Sequence, residues 1–178
     1  MLRCYVTDRR RANVETCARR AIARGIEMIQ VREKDLKARD LLPLVRRIVE
    51  MARNTPTEVL VNDRLDVALA ADAHGVHLPA NGLPIDAVRP LVRTVGVSTH
   101  TLEEALEAQQ NGADFVAFGP VFETPGKRSV GVDRLKEVAT AVSIPVLAIG
   151  GIDEERVPLV MEAGAAGYAA IRLFQDGV

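Results

Sequence analysis

The chain has no tryptophan, and aromatic residues make up only 3% of its 178 positions. A core so poor in rings must be built from Val, Leu, Ile and Ala. That suits a parallel sheet covered on both faces, whose strands read as continuous aliphatic runs. Cysteine is nearly absent: Cys4 and Cys17 stand alone, with no CxxC spacing and no paired histidines nearby. This argues against a disulfide framework or thiolate metal site and leaves two reduced, partly buried thiols. Neither sign of charge predominates. The formal net charge is -1 and the lysines and arginines are dispersed, so no basic field for nucleic acid or anionic lipid is present. No apolar run approaches the roughly 18 residues that span a bilayer, and the N-terminal stretch lacks the apolar segment of a secretory signal. The expectation is one cytoplasmic domain over residues 1–178, with no membrane or nucleic-acid partner, in which any anionic ligand is held locally.

Short β-branched runs alternate with longer segments of helical periodicity. The strand-like runs are Arg3–Thr7, Glu27–Val31, Glu58–Val61, Gly75–His77, Thr94–Val97, Phe115–Phe118, Pro145–Ile149 and Tyr168–Ile171. Between them lie Val14–Ala23, Arg39–Arg53, Leu65–Ala71, Ile85–Val92, Leu102–Gln110, Val132–Val142 and Glu154–Ala163. Thr101 to Glu104 reads as a capping box, and Pro84 stands where a first helical turn begins. Gly25, Gly75, Gly112 and Gly164 each sit between a helix and a strand, the place for a left-handed helix end. Alternating strands and helices of this number close as a barrel or open as a doubly wound sheet. The open sheet calls for a glycine-rich fingerprint after the first strand, where Asp8-Arg9-Arg10-Arg11 stands instead. The fold expected is therefore a compact (β/α)8 barrel, small for its class, with its last helix short or missing.

In such a barrel the functional groups belong at the C-terminal strand ends, where the loops form one rim. Gln30, Arg32 and Lys34 follow the second strand at a spacing of two and share a side. A guanidinium fork and an ammonium point charge suit diphosphate oxygens. Glu33, Asp35 and Lys37 read as a solvated charge run. Asn62 and Asp63 end the third strand; the carboxylate can pair with the cations or hold a divalent metal, or the two residues can form an Asx-type turn and N-cap. His77 ends the fourth strand. Ser98, Thr99 and His100 end the fifth, where a hydroxyl can donate to phosphate or serve as a cap. Gly119 to Ser129 is the longest connection and reads as a lid, with Thr124, Lys127 and Arg128 placed to close over an anion. Gly150-Gly151 after the seventh strand offers bare backbone N–H groups to a phosphate.

Taken in order, QVREKD (Gln30–Asp35), VNDR (Val61–Arg64), GVHLP (Gly75–Pro79), GVSTH (Gly96–His100), FGPVFETPGK (Phe118–Lys127) and AIGGI (Ala148–Ile152) resemble the thiamin phosphate synthase/TenI family over nearly the whole chain. The synthase branch joins hydroxymethylpyrimidine diphosphate to hydroxyethylthiazole phosphate and releases diphosphate. The resemblance implies that Gln30, Arg32 and Lys34 bind the pyrimidine diphosphate with Asn62 beside it. It implies that Asp63 holds Mg2+, Ser98 and Lys127 contact the diphosphate, Thr124 the thiazole phosphate or closing loop, and Gly151 a phosphate. Three positions depart from the pattern: Gly82 replaces a second Mg2+ carboxylate, Gly126 a threonine, and Arg172 a phosphate-binding serine, so that Arg172 is read as a substitute cation. The tautomerase branch also shares the LP and FET segments, but its proton-transfer histidine is Pro120 here. That branch would use His77, His100 or Glu123 as acid/base. A third reading is a phosphate-ligand-binding paralogue without turnover. The synthase, a transferase, ranks first, with small phosphorylated substrates as partners and a homodimer left open.

Overall fold

The structure is a computed structural model that describes residues 1–176. Eight strands alternate with helices. They are β1 Leu2–Val6, β2 Met28–Val31, β3 Glu58–Asn62, β4 Gly75–Leu78, β5 Thr94–Thr99, β6 Phe115–Phe118, β7 Val146–Ile149 and β8 Gly167–Ala170. The helices are α1 Val14–Ala23, α2 Ala38–Ala52, α3 Leu65–Ala70, α4 Ile85–Val88, α5 Leu102–Gln110, α6 Val132–Ala141, α7 Val157–Glu162 and α8 Arg172–Gln175. Every strand runs parallel to both neighbours and β8 returns to β1, closing the sheet as a (β/α)8 barrel. The last helix is a single turn, tied down where Gln175 Nε2 donates to the Tyr5 hydroxyl at 2.9 Å and to the Asp8 carbonyl at 3.0 Å. No helix among the described residues is long and apolar enough to cross a membrane.

The period of two along each strand divides the core. One side of the strands, with Tyr5, Ile29, Val59, Val61, Val76 and Val116, packs against the helices in one large aliphatic cluster. The other, with Cys4, Val6, Met28, Leu60, Phe115, Leu147 and Ala169, fills the barrel interior. The few aromatics need room there. Gly96 supplies it: a Cβ on it would lie 2.2 Å from the Phe115 ring. Both cysteines are free and buried.

Several boundaries differ from the sequence reading, and each has a local reason. The fourth helical segment stops at Val88 and continues as a 3-10 turn over Arg89–Leu91, because Pro90 has no N–H for the ladder. Pro84 caps α4 from outside rather than opening its first turn. The seventh helix starts at Val157, not Glu154, because Arg156 N–H is taken by Asp153, at 3.2 Å by the carbonyl and 2.9 Å by Oδ1. The capping box reaches one residue further back than expected. Thr101 accepts from Glu104 N–H, but the Glu104 carboxylate accepts from His100 N–H at 2.6 Å.

Gly75 is a correction of substance. Gly25, Gly112 and Gly164 do have positive φ, whereas Gly75 does not; the left-handed residue after α3 is Asp72. Gly75 is required by close approach, since a Cβ on it would lie 1.8 Å from the Thr94 carbonyl oxygen in β5. Backbone cannot yield as a flexible side chain can. Gly75→Ala is therefore expected to destabilise the barrel by more than about 2 kcal/mol, against roughly 1 kcal/mol for Gly25→Ala, whose Cβ meets nothing and incurs only the left-handed strain. Urea unfolding of the two variants checks the order.

Candidate active site

Closing the sheet brings the C-terminal strand ends around one cleft of about 900 Å³. Its wall includes Gln30, Arg32, Asn62, Ser98, Thr124, Lys127, Gly151 and Arg172, so residues far apart in sequence meet at a single end of the barrel. A smaller cavity of about 320 Å³ on the flank, lined by Arg20, Tyr168 and Phe174, contains none of the expected site residues. Lys34 and Asp63 are exposed at the rim rather than part of the cleft wall. The Lys34 ammonium is nevertheless held below its ordinary pKa, first by the charge of Arg32, then by partial burial and by Lys127, while Asp63 pulls the other way. Lys34 thus feels two other cations, Arg32 and Lys127, and one carboxylate, Asp63.

The floor is polar and buried. Gln30 Nε2 donates to Asn62 Oδ1 at 2.9 Å, joining the ends of β2 and β3. His77 Nε2 and Ser98 Oγ lie 2.8 Å apart across β4 and β5. His77 is 2% exposed, and burial, with the nearby Arg32 charge, pushes its pKa down to about 4. It is a neutral hydrogen-bonding group at neutral pH. His100 stands at the rim with Nδ1 against the Gly119 carbonyl at 2.5 Å.

Asp63 follows β3 with φ 63°, and its N–H donates to the His77 carbonyl at 2.9 Å. The Asx-turn alternative is not what forms: Arg64 occupies the N-cap of α3 with no side-chain cap, and the Asn62 side chain is committed to Gln30. The Asp63 carboxylate makes no hydrogen bond among the described residues; its charge acts on Lys34 and on the adjoining Arg64. Gly82 lies outside the cleft wall, and a Cβ there would meet Pro79 Cδ at 2.9 Å. Among the described residues no group of three or more His, Cys, Asp or Glu could hold a metal ion.

The long connection after β6 folds down onto the β7 loop. Val121 N–H donates to the Ile149 carbonyl at 2.8 Å and Phe122 N–H to Gly150 at 3.1 Å. This gives Gly150 and Gly151 a reason beyond exposed N–H groups: Cβ atoms there would strike Pro120 at 2.4 Å and Phe122 at 2.8 Å. At the tip, Lys127 N–H donates to Thr124 carbonyl at 3.0 Å, turning through Gly126 with φ 78°. That turn puts Thr124 and Lys127 in the cleft wall and leaves Arg128 exposed outside it.

Several cleft residues, among them Asp8, Arg11, Asp153 and Arg156, escaped the sequence reading, as did the burial of Glu33. Arg156 lines the cleft, donating to the Gly151 carbonyl at 2.7 Å and stacking its guanidinium 4.9 Å over the Phe122 ring. Glu33, expected to be solvated, has a side chain only 2% exposed and accepts the Thr7 hydroxyl at 2.6 Å. Asp35 and Lys37 are exposed as expected, Asp35 pairing with Arg9 at 2.5 Å.

The neutral His77 makes stability depend on pH with a definite sign. Unfolded, it binds a proton below about pH 6.5; folded, only below about 4. Across that window the unfolded chain holds more protons, so stability falls as pH falls, from this group by up to roughly 1.4 kcal/mol per pH unit. In urea unfolding the stability difference between wild type and His77→Asn should shrink from pH 7 to pH 4. A difference constant with pH would contradict the assignment.

With this geometry established, comparison with known proteins is direct. A family model described as thiamine monophosphate synthase matches residues 4–174. The thiamine-phosphate synthase of Shouchella clausii is 44% identical over 159 residues, 85% of this chain and 76% of that one. That of Chlorobium phaeovibrioides is 42% identical over 175 residues, 94% and 83% of the two chains. Among solved structures, a thiamine phosphate pyrophosphorylase from Pyrococcus furiosus superposes with a TM-score of 0.90 at 36% identity, covering 96% of this chain and 85% of the other. A chain that matches this model over residues 4–174 and whose barrel superposes on that structure belongs to the thiamine monophosphate synthase family.

Proposed function

We propose that the protein is a thiamin phosphate synthase, a transferase of thiamin biosynthesis that couples hydroxymethylpyrimidine diphosphate to hydroxyethylthiazole phosphate. The observation that carries this reading beyond family membership is the cation cluster: Arg32 and Lys127 share one cleft and together depress the ammonium of Lys34. Clustered like charges are unfavourable when alone and favourable against a polyanion. In the reaction the bond between the pyrimidine methylene carbon and the diphosphate oxygen breaks, its electron pair leaving with diphosphate. The lone pair on the thiazole nitrogen then forms the new carbon–nitrogen bond. Catalysis rests on stabilising charge as it develops on the leaving group.

Arg32, Lys34 and Lys127 meet the diphosphate, and Ser98 donates to it from the floor. Gln30 and Asn62 face the pyrimidine edge with their joined amides. Thr124, on the same turn as Lys127, would meet the thiazole phosphate together with Gly151 and Arg172. No base is required, because the attacking nitrogen carries no proton to lose. That fits His77, which at neutral pH is uncharged and too weakly basic to collect a proton. Asp63 is the carboxylate that would hold Mg2+, an ion content with one carboxylate, phosphate oxygens and water. When bound, Mg2+ adds positive charge to the departing diphosphate. With Gly82 in place of a second carboxylate the metal is held weakly, so its requirement lies in the millimolar range.

Two predictions follow for the site. Arg32→Ala and Lys34→Ala should each weaken inorganic pyrophosphate binding by at least about 1.5 kcal/mol, roughly tenfold in calorimetry. Unchanged affinity in both would return these side chains to the solvated surface. Asp63→Ala should abolish coupling at every Mg2+ concentration, while a tautomerase acting on a thiazole phosphate carboxylate would be indifferent to both Asp63 and chelator.

A further inference from the structure

Glu33 stands beside Arg32 in the chain, yet its environment is the opposite of a rim charge. Its carboxylate is 2% exposed, and Oε1 accepts the Thr7 hydroxyl at 2.6 Å. Both carboxylate oxygens accept the Arg9 N–H at 3.1 Å. Thr7, itself fully buried, accepts the Arg32 N–H on the same hydroxyl oxygen at 2.9 Å. A hydroxyl has one proton to give. Because that proton goes to Glu33, the lone pairs of Thr7 are left to the Arg32 amide, and the carboxylate settles which way the hydroxyl points. The relay therefore runs from carboxylate to hydroxyl to amide, and it ties the exit of β1 to the first residue after β2.

Stability does not account for this arrangement. Burying an ionised carboxylate is costly, and a well-packed apolar side chain in its place is commonly no less stable. The nearest cation is a poor neutraliser: Arg9 Nε is 3.9 Å away on a side chain 41% exposed, and its guanidinium pairs with Asp35. What a carboxylate supplies, and an apolar group does not, is a directed acceptor. Arg32 needs such an anchor. Its charge and that of Lys34 repel each other whenever the anion is absent. A guanidinium on a loosely held backbone would swing out of the cleft.

We propose that Glu33, acting through the Thr7 hydroxyl, is a positioning residue that fixes the backbone of Arg32 and so the direction from which its guanidinium meets the diphosphate. The inference rests on the reading of the cleft as a diphosphate site, and its test separates the two. Binding of inorganic pyrophosphate with Mg2+ is measured by calorimetry for wild type, Arg32→Ala, Thr7→Val, Thr7→Ser, Glu33→Gln and the double variant Thr7→Val/Arg32→Ala. Thr7→Val keeps the shape of the side chain and removes the hydroxyl; it and Glu33→Gln should weaken binding about fivefold or more, as misplaced charged contacts do. Thr7→Ser should return to within about twofold of wild type, and Thr7→Val should add nothing once Arg32 is gone. A merely structural role would make Thr7→Val and Arg32→Ala add. Wild-type affinity in Thr7→Val with Arg32→Ala weakened overturns the positioning role alone. Wild-type affinity in Arg32→Ala overturns the diphosphate reading and the positioning role together.

Discussion

The parallel seam between β1 and β8 is the contact on which the rest depends. Leu2 pairs with Gly167 and Tyr5 with Ala170, and the two backbones come so close that a Cβ on Gly167 would lie 1.7 Å from the Leu2 carbonyl oxygen. Closing that seam removes the last open edge of the sheet. It also turns a row of strand ends into a ring. Arg32 after β2, Lys127 after β6 and Arg172 after β8 would lie in a line along an open sheet; around a closed one they face a common space.

The ring then imposes an electrostatic condition. At the rim the charges of Arg32 and Lys127 both disfavour the ammonium of Lys34, a repulsion that an anion brought from outside relieves. The interior beneath is neutral: a Gln–Asn pair, and a histidine kept uncharged by burial. Positive charge is thus confined to the rim, over a floor that offers hydrogen bonds without competing charge. Such a division favours the expulsion of a diphosphate over the movement of protons.

Much of this was legible in the chain, and the parts that were not share a cause. Strand alternation is local, so the order of elements and the common side of Gln30, Arg32 and Lys34 can be read directly. Parity also puts Glu33 on the other side, but it does not say what covers that side. The cover is Thr7 and the Arg9 backbone, which come from the preceding strand exit. Arg156 was hidden in the same way, since its partner Phe122 arrives only when the β6 connection folds back on β7. Gly75 shows a different limit. One residue type answers two needs, a left-handed turn or a close backbone approach, and only the position of Thr94 decides between them.

The central claim is that the cation ring exists to release diphosphate from a pyrimidine methylene while a thiazole nitrogen attacks. Its most direct test is to incubate the protein with hydroxymethylpyrimidine diphosphate, hydroxyethylthiazole phosphate and millimolar Mg2+, following diphosphate and thiamin phosphate together. The account predicts equal amounts of both products, formed only when both substrates and metal are present. No thiamin phosphate at any Mg2+ concentration, or undiminished coupling in chelator, would contradict it.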